Sequence, residues 1–260
     1  MATILSKPPV FYTLAQFKFN AIVGMSEYIP KFQENMRRNG FPDFRQENQL
    51  TMNIRRMDES QPEFQNIQQS RWSFSNSQNT AGYLLLTDSL VYHTTAYESF
   101  QKFSKKALDG LNLLHKLIDL AYVERIGLRY LDAISPVNDD SIDKYLNSSL
   151  MGLSSIIGGK VTHSYSETQT QLEVGTLVAR TVITENGLAL PPDLFPLQLN
   201  LLPNFASLSE KNAVLDIDCF VAQRFDFDIK RTQNLLQSAH DSITNAFRAS
   251  VTDYALSVWE

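Results

Sequence analysis

Tyr122-Val123-Glu124-Arg125-Ile126-Gly127-Leu128-Arg129-Tyr130-Leu131-Asp132 is the stretch on which the fold turns. Ile126, Leu128 and Tyr130 fall on one side of an extended chain, and Arg125, Gly127 and Arg129 on the other. That period of two marks a half-buried strand, which here runs to Ile134 and is stopped by Ser135-Pro136. Its apolar side needs a covering layer. Upstream, Tyr97, Phe100, Phe103, Ala107, Leu111, Leu114 and Leu117 recur in steps of three and four, while Lys102, Lys105 and Lys106 point elsewhere. This predicts an amphipathic helix over 96–118. Downstream, Leu236, Ala239, Ile243, Phe247, Val251, Tyr254 and Val258 predict a second one over 229–258. The strand sits between two helices that can cover it.

Further out, each side repeats one order. Ala15, Phe17 and Phe19 alternate with polar residues, and a helix starts at Ser26 and stops at Gly40 and Pro42. Leu50, Met52 and Ile54 make a strand, as does Phe64 to Phe74 with Trp72 and Phe74 on one face. Gly82–Thr87 and Leu90–Thr94 flank Asp88-Ser89 as a hairpin. After the deciding strand, Asn138-Asp139-Asp140-Ser141 leads into a helix carrying Ile142, Tyr145, Leu146, Leu150 and Leu153, closed by Gly158-Gly159. A hairpin across Gly175 follows, then an irregular stretch over 186–211 with Pro191-Pro192, Pro196 and Pro203. Val214 to Val221 is the last strand before the C-terminal helix.

The fold class is therefore α+β: a largely antiparallel sheet, read as two pseudo-repeated β-α-β(3-4)-α halves with long helices packed on one face. The first half covers 1–119 and the second 120–260, the alternative being one continuous domain. In element order each half resembles a TATA-binding-protein-like half-domain, an analogy of topology that implies no shared function.

With 260 residues, 43% of them hydrophobic and 20% charged, the chain can bury a real core, and disorder is excluded as its main state. No apolar run approaches the ~20 residues that span a bilayer. Met1 to Val10 has no basic stretch followed by an apolar one. A single cysteine, Cys219, excludes an internal disulfide. The expectation is a cytoplasmic protein with no membrane contact. The net charge of −5 is uneven: residues 1–135 carry +2 and residues 136–260 carry −7.

Chemistry is thin. His93, His115, His163 and His240 have no metal-ligand spacing, and there is no glycine-rich phosphate loop or nucleophile elbow. Cys219 falls on the apolar side of its strand and reads as a buried thiol. Asp216 and Asp218 share the opposite side, spaced as weak metal candidates or as a solvated face. Asp226 and Asp228 read as the acidic start of a helix. Arg71 with Trp72 can stack on a base, or be a basic face beside a core tryptophan. Arg125 and Arg129, with Tyr130, are the leading binding candidates. Their guanidinium groups suit a carboxylate or phosphate, and the other reading is strand arginines paired with carboxylates. On an open sheet face they stand about 13 Å apart and span an extended partner lying over Gly127. That reading predicts that replacing both by alanine leaves the melting temperature nearly intact and weakens partner binding at least tenfold.

The strand Arg125-Ile126-Gly127-Leu128-Arg129-Tyr130-Leu131-Asp132 is similar to the R-x-G-L-R-Y-x-(N/D) signature of a sporadically distributed bacterial protein family of about this length. Pro8 to Val10, Trp72 with Phe74, and Tyr97 with Phe100 fit the same resemblance, and 186–211 adds nothing to it. The family usually has asparagine where this chain has Asp132. The resemblance implies a two-part α+β protein of mobile and anti-phage gene neighbourhoods, and it supplies no catalytic residues. The expected function is a non-catalytic binding or scaffold subunit, a protein partner or regulator in a bacterial anti-phage or toxin-control system, with no cofactor. A nucleic-acid-binding module using the basic first half is the alternative. A metal-dependent hydrolase or nuclease on Asp216 and Asp218 ranks third.

Overall fold

One antiparallel sheet runs through both halves of the chain. The computed structural model describes residues 7–55, 63–138, 140–157, 161–195, 197–208 and 210–260. Met1, Asp139, Gly158-Gly159 and Pro196, named above, lie outside these. The first half holds β1 (Val10–Phe19), α1 (Met25–Arg38), β2 (Asp43–Arg55), β3 (Glu63–Ser75), β4 (Ala81–Leu85), β5 (Ser89–Thr94) and α2 (Phe100–Ile118). The second holds β6 (Tyr122–Ile134), α3 (Ser154–Ile157), β7 (His163–Gln171), β8 (Thr176–Thr184), α4 (Pro203–Ala206), β9 (Asn212–Val221), β10 (Phe225–Asp226), α5 (Ile229–Ser250) and α6 (Asp253–Trp259).

The strands lie in the order β2-β3-β4-β5-β1-β6-β9-β8-β7, with β10 beside the start of β6. The deciding strand, β6, is central. Its neighbours are β1 from the first half and β9 from the second. Each half sends its chain to an outer edge and meanders back to the middle.

Helices α1, α2 and α5 cover one face. Phe32 and Met36, Leu111 and Leu114, and Leu236 and Ile243 pack there against Phe17, Trp72, Phe74, Ile126, Leu128 and Tyr130. Each such buried large side chain contributes about 1.5–3 kcal/mol. The caps follow from sequence: the Ser99 hydroxyl accepts from the Lys102 N–H at α2, and Asp228 accepts from Lys230 and Arg231 at α5. Gly110 lets α2 lie on buried Tyr83. A Cβ there would stand 2.2 Å from the tyrosine ring, which its hydroxyl pins to the Lys106 carbonyl. Gly110→Ala is therefore expected to cost about 1–3 kcal/mol of stability, read as a lower chemical denaturation midpoint, although alanine is the better helix former.

Three elements differ from the sequence reading. The C-terminal helix breaks at Val251, because the Thr252 hydroxyl accepts from Ala255 N–H and opens a new helix, α6. The helix expected from Ile142 to Leu153 is two 3-10 turns, Ile142–Lys144 and Ser148–Leu150, followed by α3. Asn147 forces the change by capping its own short turn through Ser149 N–H. The stretch 186–211 has a role after all. Residues 188–195 and 197–208 form a strap across the face away from the helices, where Leu188, Leu190, Leu194, Leu197 and Leu201 pack on Phe11, Leu131 and Val214. Prolines 191, 192 and 203 have no N–H to satisfy, which suits an irregular segment lying on an apolar surface.

Candidate binding cleft

The strap changes what the β6 arginines can do. Arg125, Gly127 and Arg129 do lie on the face opposite the helices, yet Arg129 is only 8% exposed. Its guanidinium forks onto Asp216, with Nε 2.6 Å from Oδ1 and Nη2 2.7 Å from Oδ2, and reaches Asp193 of the strap at 2.5 Å. Arg180 donates to the same Asp216 and to Glu167, so five charges run in a chain from the strap to β7. Burial works against the Arg129 charge, but the hydrogen bonds to Asp216 and Asp193 outweigh it and raise its pKa. The expectation of an open-faced Arg129 is therefore corrected: strap and strands seal it into an ion-pair network.

Arg125 is half-buried. It bonds to Gln16 and lies over the Phe220 ring at 4.4 Å. A Cβ on Gly127 would sit 3.1 Å from its Nη1, so the glycine makes room for Arg125 itself and not for a partner chain. Asp216, read as a metal candidate or a solvated face, is 1% exposed and neutralised by Arg129 and Arg180. Burial raises the Asp218 pKa, Arg125 and Arg129 pulling the other way. Among the described residues no group of three His, Cys, Asp or Glu can hold a metal ion. Cys219 is fully buried, and its thiol is pushed up to about 11 by that burial.

Trp72 and Tyr130 sit on the helix-covered face, 3% and 6% exposed. Trp72 is thus core and offers no ring to a base, which separates it from Arg71, its neighbour on the opposite face. The Tyr130 hydroxyl lies 3.3 Å from that of Tyr97 and 3.2 Å from His240 Nδ1. Beside them Asp132 is buried without a hydrogen-bond partner among the described residues, and burial lifts its carboxyl to about 7.

What remains open is a cleft of about 430 Å³ between the strap and strands β1 to β5, lined by Tyr12, Arg45, Glu47, Arg71, His93 and Gln198 among others. His93 accepts or donates at 2.9 Å with the Tyr12 hydroxyl, and burial, with Arg71 nearby, lowers it to about 3. It is neutral at physiological pH. Arg71 Nη2 and Gln198 Nε2 both bond to Glu47 Oε2, at 2.5 and 3.2 Å. Two buried polar atoms of these side chains have no partner among the described residues: Arg71 Nε, a donor, and Gln198 Oε1, an acceptor. The strap wall is held by Asn79, which donates to the Gln198 carbonyl, and by Thr95, which donates to that of Asn200. Gln198, Asp193 and Tyr12 escaped the sequence reading. The available signal was leucine at nearly every second position from 188 to 201, too apolar for a solvated loop.

No family model matches the chain, and no curated protein matches it.

Proposed function

We propose that the protein is a non-catalytic binding subunit whose cleft takes an extended peptide segment of a protein partner. One observation carries the reading: Arg71 from the sheet and Gln198 from the strap converge on Glu47, and all three line one cleft. A peptide unit brings one carbonyl and one N–H, which suit the donors and the carboxylate that these side chains present there. The volume suits a few residues of chain, and exposed Arg45, which makes no ion pair among the described residues, favours an acidic one. Nucleic acid is less favoured, because Arg71 is tied to Glu47 and Trp72 lies under the helices. A regulator in an anti-phage or toxin-control system, as the family resemblance implies, is the setting in which such a subunit acts.

The test is a displayed peptide library selected on the protein, with hits measured by calorimetry. Acidic peptides should be enriched, and Arg71→Ala should weaken them about tenfold or more. Enriched peptides that ignore both Arg71→Ala and Gln198→Ala would place binding elsewhere. Tight single-stranded nucleic acid binding with a steep salt dependence would favour the alternative.

A further inference from the structure

Strand β7 ends the sheet. Among the described residues it pairs with β8 on one side only. At the hairpin the Leu172 N–H donates to the Gly175 carbonyl at 2.7 Å, and the same register continues without a shift to His163 opposite Thr184. Antiparallel pairs alternate between bonded and unbonded, so the even-numbered residues 164 to 170 bond to β8. The odd-numbered His163, Tyr165, Glu167 and Gln169 turn their N–H and carbonyl groups outward. The strand has no lysine, no proline and no bulge, the usual protections of a free edge.

We infer that this edge pairs with β7 of a second copy of the chain, antiparallel about a two-fold axis at Tyr165. Three observations select that occupant. Centring on Tyr165 pairs odd residues with odd residues, so outward backbone groups of both copies meet. It also sets His163 against the second copy's Glu167, and Glu167 against its His163, so that a ring N–H of each copy faces a carboxylate of the other. Centring on Glu167 would oppose two carboxylates instead. Third, Leu153, Ile156 and Ile157 are 71%, 79% and 76% exposed. A Cβ on Gly152 would lie 3.7 Å from Ser164 Oγ, which places this apolar patch at the same edge. In the pairing Ser164 faces the second copy's Ser166, so the two patches flank the axis and cover one another. The contact is isologous and closes at two subunits. It is independent of the cleft and stands or falls without it.

Sedimentation of the full chain at micromolar concentration should give twice the 29.5 kDa chain mass. Tyr165→Pro removes one outward N–H and no β8 bond, so it should give a monomer with an unchanged thermal melt. His163→Glu, which opposes Glu167 of the second copy, should weaken the dimer at least tenfold without touching the backbone. Opposed residues of a bonded pair lie about 5.5 Å apart, within disulfide range. Tyr165→Cys should therefore oxidise to a linked dimer, and Gln169→Cys should not; buried Cys219 adds no background. A monomeric wild type, a dimer untouched by both Tyr165→Pro and His163→Glu, or linkage through Gln169→Cys in place of Tyr165→Cys overturns the proposal.

Discussion

Arg129→Ala is expected to destabilise the fold by about 3–5 kcal/mol, enough to be seen directly as a drop in the denaturant midpoint. The substitution strands Asp216, 1% exposed, with only the longer 3.3 Å contact to Arg180. Asp216→Ala should do comparable damage by leaving Arg129 facing Asp193 alone. Replacing the pair together, Arg129→Met with Asp216→Leu, should recover most of the loss, because the penalty lies in the uncompensated charge and not in the absent attraction. Asp193 then faces solvent, and Arg180 keeps Glu167. Urea titrations of the three variants decide it. A single variant within about 0.5 kcal/mol of wild type would show that the strap leaves this network wet. The same numbers replace the expectation that an Arg125 and Arg129 double alanine variant keeps its melting temperature.

Asp132→Asn should stabilise the protein, and only above acid pH. The carboxyl rises from 3.8 to about 7 on folding, through burial. Below pH 4 it is protonated folded or unfolded and costs nothing. Between pH 4 and 7 the unfolded chain has released the proton and the folded one retains it, so stability falls by about 1.4 kcal/mol per pH unit. Above pH 7 the penalty levels off, at about 4 kcal/mol by this arithmetic. Tyr97 and Tyr130 are the titratable groups whose fields reach it, and both are neutral throughout this range. Asparagine keeps the shape and removes the charge. Melting curves should coincide at pH 4 and separate by several degrees at pH 8. Equal shifts at both pH values would mean that Asp132 is not the titrating group.

The sequence showed those parts of the fold whose side chains alternate or step regularly. In β6, β9 and α2 every residue's side follows from its neighbours, and all three have the predicted faces. The side of Arg129 was legible. Its burial was not, because that depends on a strap 60 residues away with neither period. Likewise Leu146, Leu150 and Leu153 keep helical spacing, but the caps at Asn147 and Thr252 are single hydrogen bonds that spacing cannot register. The cleft shares the strap's obscurity. Arg71 was visible as a basic residue on the strand face opposite Trp72, but spacing could not show that Glu47 and the strap close round it.

The central place of β6 also governs how the chain is made. β1 needs β5 on one side and β6 on the other, and about a hundred residues separate it from β6. At translation speeds of roughly 5–20 residues per second, the 28 residues from Thr94 to Tyr122 leave β1, already beside β5, with one flank bare for about 1–6 s. A β5-bonded strand with a free apolar flank recruits other nascent strands. The newborn protein is thus most in need of a chaperone before β6 emerges, and a transcript cut short between the halves yields an aggregating product.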